Sequence, residues 1–118
     1  MAIKSGADLI AEAKAKIREV TPHQAMSDSS PGLVFLDVRE QNEWNLGHVP
    51  DAVHIPRGLM ETTIEALIPR DKHVIIYCQS GNRSAFAAET LQKMGYEDVA
   101  SMSQGILGWV DAGGEVDS

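Results

Sequence analysis

The sequence predicts an α/β domain: a small, mostly parallel sheet of about four to five strands with helices on both faces, preceded by an extra N-terminal helix. Three observations predict it. Short β-branched runs alternate with helix-patterned segments along the chain, the pattern of βαβ units. Val74 to Tyr77 is apolar without alternation, as in a strand covered on both faces. A length of 118 residues suits one domain with one core.

The elements follow in order. Residues 1–18 form a helical extension and 19–118 the α/β domain. Ser5 caps a helix to Ile17, with Asp8 three residues on in a weak capping-box pattern. Leu9, Ile10, Ala13 and Ile17 make its apolar stripe. That stripe either packs on its own domain or serves as a dimer contact or a lid. Thr21-Pro22 starts a short helix ending near Asp28, with Thr as cap and Pro at the first position. Leu33 to Leu36 is a strand, and Asp37 to Glu40 leaves its carboxyl end. Gln41 to Leu46 is a helical turn with Trp44 expected in the core. Val53 to Ile55 is a short strand, and Leu59 to Leu67 a helix with Ile64, Leu67 and Ile68 facing inward. After the central strand, Ala85 to Met94 is a helix stopped by Gly95. Val99 to Met102 is the last strand. Gly105 to Ala112 is a turn and short helix docking Ile106, Leu107 and Trp109, and the tail from Gly113 to Ser118 is expected to fray.

Composition narrows the function. A net charge of −7 with no basic stripe argues against nucleic-acid binding. The single cysteine excludes an internal disulfide, and Cys/His metal spacing is absent. No apolar run approaches the roughly 20 residues of a membrane span. Met1 to Ser5 lacks the apolar core of a signal peptide, so a reduced cytoplasm is the expected setting.

The chemistry concentrates in Cys78-Gln79-Ser80-Gly81-Asn82-Arg83-Ser84, between the central strand and its helix. In open α/β sheets ligands bind at the carboxyl edge of the strands. A helix N-terminus and a nearby cation lower a thiol's pKa. The loop N–H groups lack intrahelical partners and can converge on an anion, and Gly81 permits the sharp turn. The loop reads as an anion cradle with a sulfur at its floor. The bland alternative is an inert buried cysteine. The same edge is expected to gather Arg39 and Arg57. Asp37 and Arg39 can equally form a structural ion pair. His48, with no carboxylate partner in its motif, reads as structural rather than as a general base.

These residues resemble a known family. Cys78 to Arg83 is similar to the active-site loop of single-domain rhodaneses, the thiosulfate sulfurtransferases. Leu36-Asp37-Val38-Arg39 resembles the family's Asp-x-Arg signature. Gly47 to Pro56 resembles its Gly-His-[Ile/Val]-Pro-x-Ala-x-x-Ile-Pro segment. Gly105 to Trp109 resembles its C-terminal Gly-Gly-x-x-Gly-Trp, with Gln104 in place of the first glycine. The four motifs occur in the family's order over about residues 19 to 114.

The resemblance implies sulfur transfer. A persulfide on Cys78 would carry sulfur from thiosulfate or a similar anionic donor to cyanide, a thiol or a protein thiol. Gln79, Ser80, Gly81, Asn82, Arg83 and Ser84 would bind the substrate, with Asp37, Arg39 and Arg57 in support. Arg83 would either orient the donor or brace the loop. No metal or organic cofactor is implied, and a monomer or weak homodimer is expected. Two alternatives remain. One is a persulfide-carrier or regulatory binding domain with little turnover. The other is a Cys-dependent phosphatase or arsenate reductase, disfavoured because Cys78 to Arg83 is Cys-x4-Arg rather than the longer Cys-x5-Arg.

Overall fold

A computed structural model describes residues 3–118. Met1 and Ala2, the start of the segment read as lacking a signal peptide, lie outside the described residues. Five strands form one parallel sheet: β1 (Arg18–Val20), β2 (Val34–Asp37), β3 (Val53–His54), β4 (Val74–Tyr77) and β5 (Val99–Met102), in the order β1-β5-β4-β2-β3. The helices are α1 (Gly6–Ala15), α2 (Pro22–Ser27), α3 (Gln41–Leu46), α4 (Met60–Leu67), α5 (Asn82–Lys93) and α6 (Gly105–Asp111), with a 3-10 turn at Arg57–Leu59. Among the described residues no helix is long and apolar enough to cross a membrane.

The central strand explains the layering. All four residues of β4 are buried, and their side chains alternate between two cores. Val74, Ile76 and Cys78 join the larger core with Met60, Ile64 and Ile68, and with Ala87, Ala88 and Leu91 of α5. Ile75 and Tyr77 join the smaller one with Ala25, Met102, Ile106 and Trp109, beneath α2 and α6. Helices therefore cover both faces.

The topology also makes a crevice. The chain leaves β2 towards the β3 edge and leaves β4 towards β5, yet β2 and β4 are neighbours, paired from Val34↔Val74 to Asp37↔Tyr77. This is a topological switch point, where departing loops diverge and open a crevice at the carboxyl ends. Asp37 and Cys78 stand on its two sides.

Several expectations change. β1 was not legible: Arg18-Glu19-Val20 is short, charged and mostly exposed, and becomes a strand only by pairing with Ala100 to Met102. The boundary at 18/19 falls inside it. The helix before it packs on α5: Ala13 is buried, Ile17 reaches the larger core, and Lys16 lies 3.5 Å from Glu89. Leu67 and Leu107 are 54% and 53% exposed, not inward, because Met60, Ile64 and Ile68 (spaced by four) already define the buried stripe of α4, and Ile106 and Trp109 that of α6. Trp44 is half-buried. Its ring stacks on His48 at 3.5 Å and 2°, and lies 4.8 Å from His54. His48 is structural, with Nδ1 3.2 Å from the Trp44 carbonyl oxygen.

The tail does not fray. The backbone N–H groups of His48 and Asp117 each donate to the other's carbonyl at 2.9 Å. Trp109 Nε1 donates to the Glu115 carbonyl at 2.7 Å. Two backbone bonds and an indole anchor fix a terminal segment expected to fray.

At the opposite edge of the sheet His73 is clasped between two carboxylates: Nε2 lies 2.6 Å from Asp28 and Nδ1 2.9 Å from Asp98. Burial alone would lower the His73 pKa, but hydrogen bonds to both carboxylates raise it above its ordinary value. The Ser30 and His73 hydrogen bonds hold Asp28 down at about 2. The signs follow by linkage. The His73 contribution is complete below its unfolded pKa of about 6.5 and fades as pH rises through the higher folded value. The Asp28 contribution is complete above about 4 and fades as pH falls towards 2. His73→Gln is expected to flatten the alkaline loss of thermal stability and lower stability most between about pH 4 and 6.5. Thermal melts across pH check this; parallel wild-type and variant curves would refute it.

Candidate active site

Cys78 is the first residue after β4 and is 1% exposed. Its sulfur accepts N–H bonds from Gly81 at 3.2 Å and Ser84 at 3.4 Å, and lies 3.5 Å from Ser84 Oγ. The chain achieves this by turning at Gly81, where φ is +103°. A side chain there would be strained, and its Cβ would fall 3.1 Å from the Gln104 nitrogen. Asn82 then opens α5, so Gly81 and Ser84 direct N–H groups at the sulfur instead of along the helix.

Burial pushes the Cys78 thiol up. The Ser84 hydroxyl and the N–H groups of Ser84, Gly81 and Ser80 more than reverse this, so its pKa lies below the ordinary thiol value. Hydrogen bonds to the anion therefore dominate over desolvation at this sulfur.

Three supports lie around the loop. Ser101 of β5, fully buried, places Oγ 2.8 Å from Ser84 Oγ and fixes that hydroxyl under the sulfur. At the start of α6 the Ile106 N–H donates to the Cys78 carbonyl at 2.9 Å and the Leu107 N–H to the Gln79 carbonyl at 3.3 Å. Gly105 makes this approach possible, because a Cβ there would run into those same two carbonyls. Gln104, in place of the glycine in the resembling motif, keeps the turn by adopting φ +65°. On the outer side Arg83 donates to both carboxylate oxygens of Glu43, at 2.7 and 2.9 Å. Arg83, with help from the Glu40 N–H, holds the Glu43 carboxyl down at about 2.

Across the crevice Asp37 and Arg39 form a buried ion pair, 0% and 4% exposed. Arg39 Nε lies 3.1 Å from both Asp37 oxygens and Nη2 2.8 Å from Oδ2; Nη2 also donates to the Gly47 carbonyl at 2.6 Å. Burial works against the Arg39 charge, but Asp37 more than restores it. The guanidinium lies 5.7 Å from the centre of the Tyr77 ring, and the Tyr77 hydroxyl accepts the Val49 N–H at 3.0 Å.

The sequence-predicted residues thus separate. Cys78 to Ser84 form one loop, and Asp37 and Arg39 face it over the switch point. Arg57 is not brought there: its guanidinium binds Glu61 at 2.8 Å and Thr90 at 3.1 Å. Thr90 lies eight residues into α5, about 12 Å from the loop along its axis. Sequence reasoning missed Glu43, Ser101 and the Gly105 clamp as parts of the site. Ser101 had one signal, a hydroxyl inside the buried run Val99-Ala100-Ser101-Met102. Glu43 had none, since forty residues separate it from Arg83.

A low-pKa cysteine wrapped by backbone N–H groups, at the switch point of a five-stranded parallel sheet, defines a cysteine-loop α/β domain of the group-transfer type. The model of the rhodanese-like domain family matches residues 20–112, and the chain belongs to that family. It is 40% identical over 82 residues to Bacillus subtilis (strain 168) YrkF, whose name provisionally describes a sulfur carrier protein; the match covers 70% of this chain and 44% of YrkF. The chain thus corresponds to less than half of that relative. It is 32% identical over 94 residues to the thiosulfate sulfurtransferase GlpE of Pseudomonas savastanoi pv. phaseolicola, covering 80% of this chain and 88% of GlpE. Among solved structures, Rhodopseudomonas palustris RPA3614, a protein of unknown function described as a possible tyrosine phosphatase, superposes with TM-score 0.86. It is 31% identical, over 99% of this chain and 98% of that one.

Two outcomes follow from the supports. Ser101→Ala removes the partner of the Ser84 hydroxyl and is expected to raise the Cys78 pKa, and Ser84→Ala to raise it further. Thiolate absorbance against pH reads both, and an unchanged titration in Ser101→Ala would dismiss its role. If Arg83 acts through Glu43, the losses in transfer rate from Arg83→Ala and Glu43→Ala are non-additive, with coupling of about 1 kcal/mol or more. Additive losses would place Arg83 on the substrate instead.

Proposed function

We propose that this chain is a sulfurtransferase that moves a sulfane sulfur from thiosulfate, or a similar anionic donor, to a thiophilic acceptor through a persulfide on Cys78. The observation that carries the reading is the pair of N–H bonds from Gly81 and Ser84 to the sulfur. A thiol stabilised as its anion at the floor of an N–H-lined loop is prepared for nucleophilic attack on sulfur.

In the first step the Cys78 thiolate attacks the outer sulfur of thiosulfate. A new S–S bond forms, the donor's S–S bond breaks, and sulfite leaves with the electron pair. In the second, cyanide or a thiolate attacks the outer sulfur of the persulfide. Thiocyanate or a new persulfide departs, and the Cys78 thiolate returns. The N–H groups of Asn82 and Arg83, at the first positions of α5, have no intrahelical partners and are available to the anionic donor. Gln79, Ser80 and Asn82 are exposed and form the mouth. With Arg83 held by Glu43 and Arg39 by Asp37, we assign both cations to bracing the loops. Arg57 is left out of the site. The chemistry needs a reduced cysteine, which suits a cytoplasmic setting.

The resemblance to YrkF supports a second version, in which Cys78 is loaded by a partner and carries the sulfur onward with little turnover of its own. The RPA3614 description raises phosphate-ester hydrolysis. Against that, the loop spans only Cys-x4-Arg, and its arginine is turned to Glu43 rather than into the cradle.

Incubation with thiosulfate is expected to add one sulfur atom to Cys78 by intact mass, with thiocyanate produced from cyanide and both lost in Cys78→Ala. A persulfide that forms but turns over poorly would indicate the carrier. Hydrolysis of p-nitrophenyl phosphate that Cys78→Ser abolishes would replace the proposal.

A further inference from the structure

Four exposed large apolar side chains gather in one place. Leu46 (86% exposed), Leu107 (53%), Val110 (52%) and Val116 (43%) line a single cleft of about 520 Å³. They come from the end of α3, the outer face of α6 and the C-terminal segment. Isolated exposed aliphatics are ordinary, whereas a contiguous set around a concavity marks an interaction site. The cleft is preformed. The His48–Asp117 backbone pair holds the tail, and Val116 packs on Gly47 so closely that a Cβ at Gly47 would lie 2.7 Å from it. A rigid groove loses little entropy on binding.

Its position relates it to the sulfur. Gln79 forms part of the wall and directly follows Cys78, so their Cα atoms are about 3.8 Å apart. A small anion such as thiosulfate gains nothing from four aliphatic side chains. The groove's own charge would repel it as well. Asp111 lines the cleft without a salt-bridge partner among the described residues, and the exposed Glu115 and Asp117 are the chain neighbours of Val116, Glu115 on the adjoining cleft beside Trp109. The nearby cations are already engaged, Arg39 by Asp37 and Arg83 by Glu43. An apolar groove with an acidic rim fits aliphatic side chains bordered by Lys or Arg.

We propose that this cleft docks a polypeptide thiol: a partner segment carrying aliphatic side chains and Lys/Arg next to its own cysteine, so placed that the cysteine meets the Cys78 persulfide. The inference rests on the sulfurtransfer reading and names its acceptor. The partner thiolate attacks the outer persulfide sulfur. A new S–S bond forms on the partner, the bond to Cys78 breaks, and Cys78 leaves as the thiolate. The partner's proton passes to solvent before attack.

The probe is a synthetic peptide with one cysteine between two leucines, flanked by lysines. A glutamate-flanked peptide and glutathione are the controls. Persulfidated protein is expected to transfer sulfur to the lysine peptide with kcat/KM about tenfold above glutathione, an advantage of about 1.4 kcal/mol. The double variant Leu46→Glu/Val110→Glu should lose that advantage while thiosulfate:cyanide turnover stays within about twofold of wild type. Salt should erode the preference over the glutamate peptide. Equal use of peptide and glutathione, or a preference surviving in the variant, would overturn the proposal. A binding arm needs no sulfur chemistry: the same peptide with Ser for Cys is titrated into labelled protein by NMR. Amide shifts concentrated at Leu46, Leu107, Val110 and Val116 support the groove; no shifts, or shifts elsewhere, refute it. If no persulfide forms from any donor, the sulfurtransfer reading fails, and the titration still decides the groove.

Discussion

Two backbone hydrogen bonds, from Gly81 and Ser84 to the Cys78 sulfur, are the constraint on which the rest of the site depends. A buried thiol ordinarily resists ionisation, because an anion away from water is costly. Here amide hydrogens replace the water, and they do so only while the loop keeps its shape. Gly81 supplies the turn, Gly105 lets α6 approach and bond the loop carbonyls, and Glu43 grips Arg83 from outside. The Gly105 and Glu43 contacts act on the sulfur through backbone geometry rather than by touching it.

The sheet explains why the loop can be held so closely. β4 is buried on both faces, and its neighbours β2 and β5 each contribute one part. β5 brings Ser101 to the back of the Ser84 hydroxyl. β2 leads into the Asp37–Arg39 pair, whose charges satisfy one another and whose Nη2 also reaches the Gly47 carbonyl. A buried pair of this kind contributes little net stability but fixes loop position. It ties the β2 loop to the segment that later receives the tail. The apolar cleft beside Gln79 depends on that tie, since Gly47 and Val116 line one of its sides and the His48–Asp117 bridge holds them together.

The molecule also divides its electrostatics. Its net charge is −7, yet the carboxylates nearest the sulfur loop are matched by arginines, Glu43 by Arg83 and Asp37 by Arg39. The field over the loop is therefore set by N–H dipoles, while Asp111, without a salt-bridge partner among the described residues, stands at the cleft. On the proposed function and docking, a small anionic donor and a basic protein acceptor approach by different parts of one surface.

The sequence by itself determined the fold class, four of the five strands, the caps at Ser5 and Thr21, and the cysteine loop. Those features are local. Apolar periodicity, a Thr-Pro helix start and a Cys-to-Arg loop carry their physics within a few residues. Tertiary structure alone decided β1, whose charged residues become a strand only against β5. It also decided the pinned tail, which depends on a backbone pairing with His48. It set Arg83 on Glu43 and Arg57 on Thr90, and turned Leu67 and Leu107 outward. Long flexible cations and helix-flank aliphatics take their positions from whichever partner lies within reach. For residues 33 and 40 positions apart, that is fixed by how the strands are ordered, which no local pattern encodes.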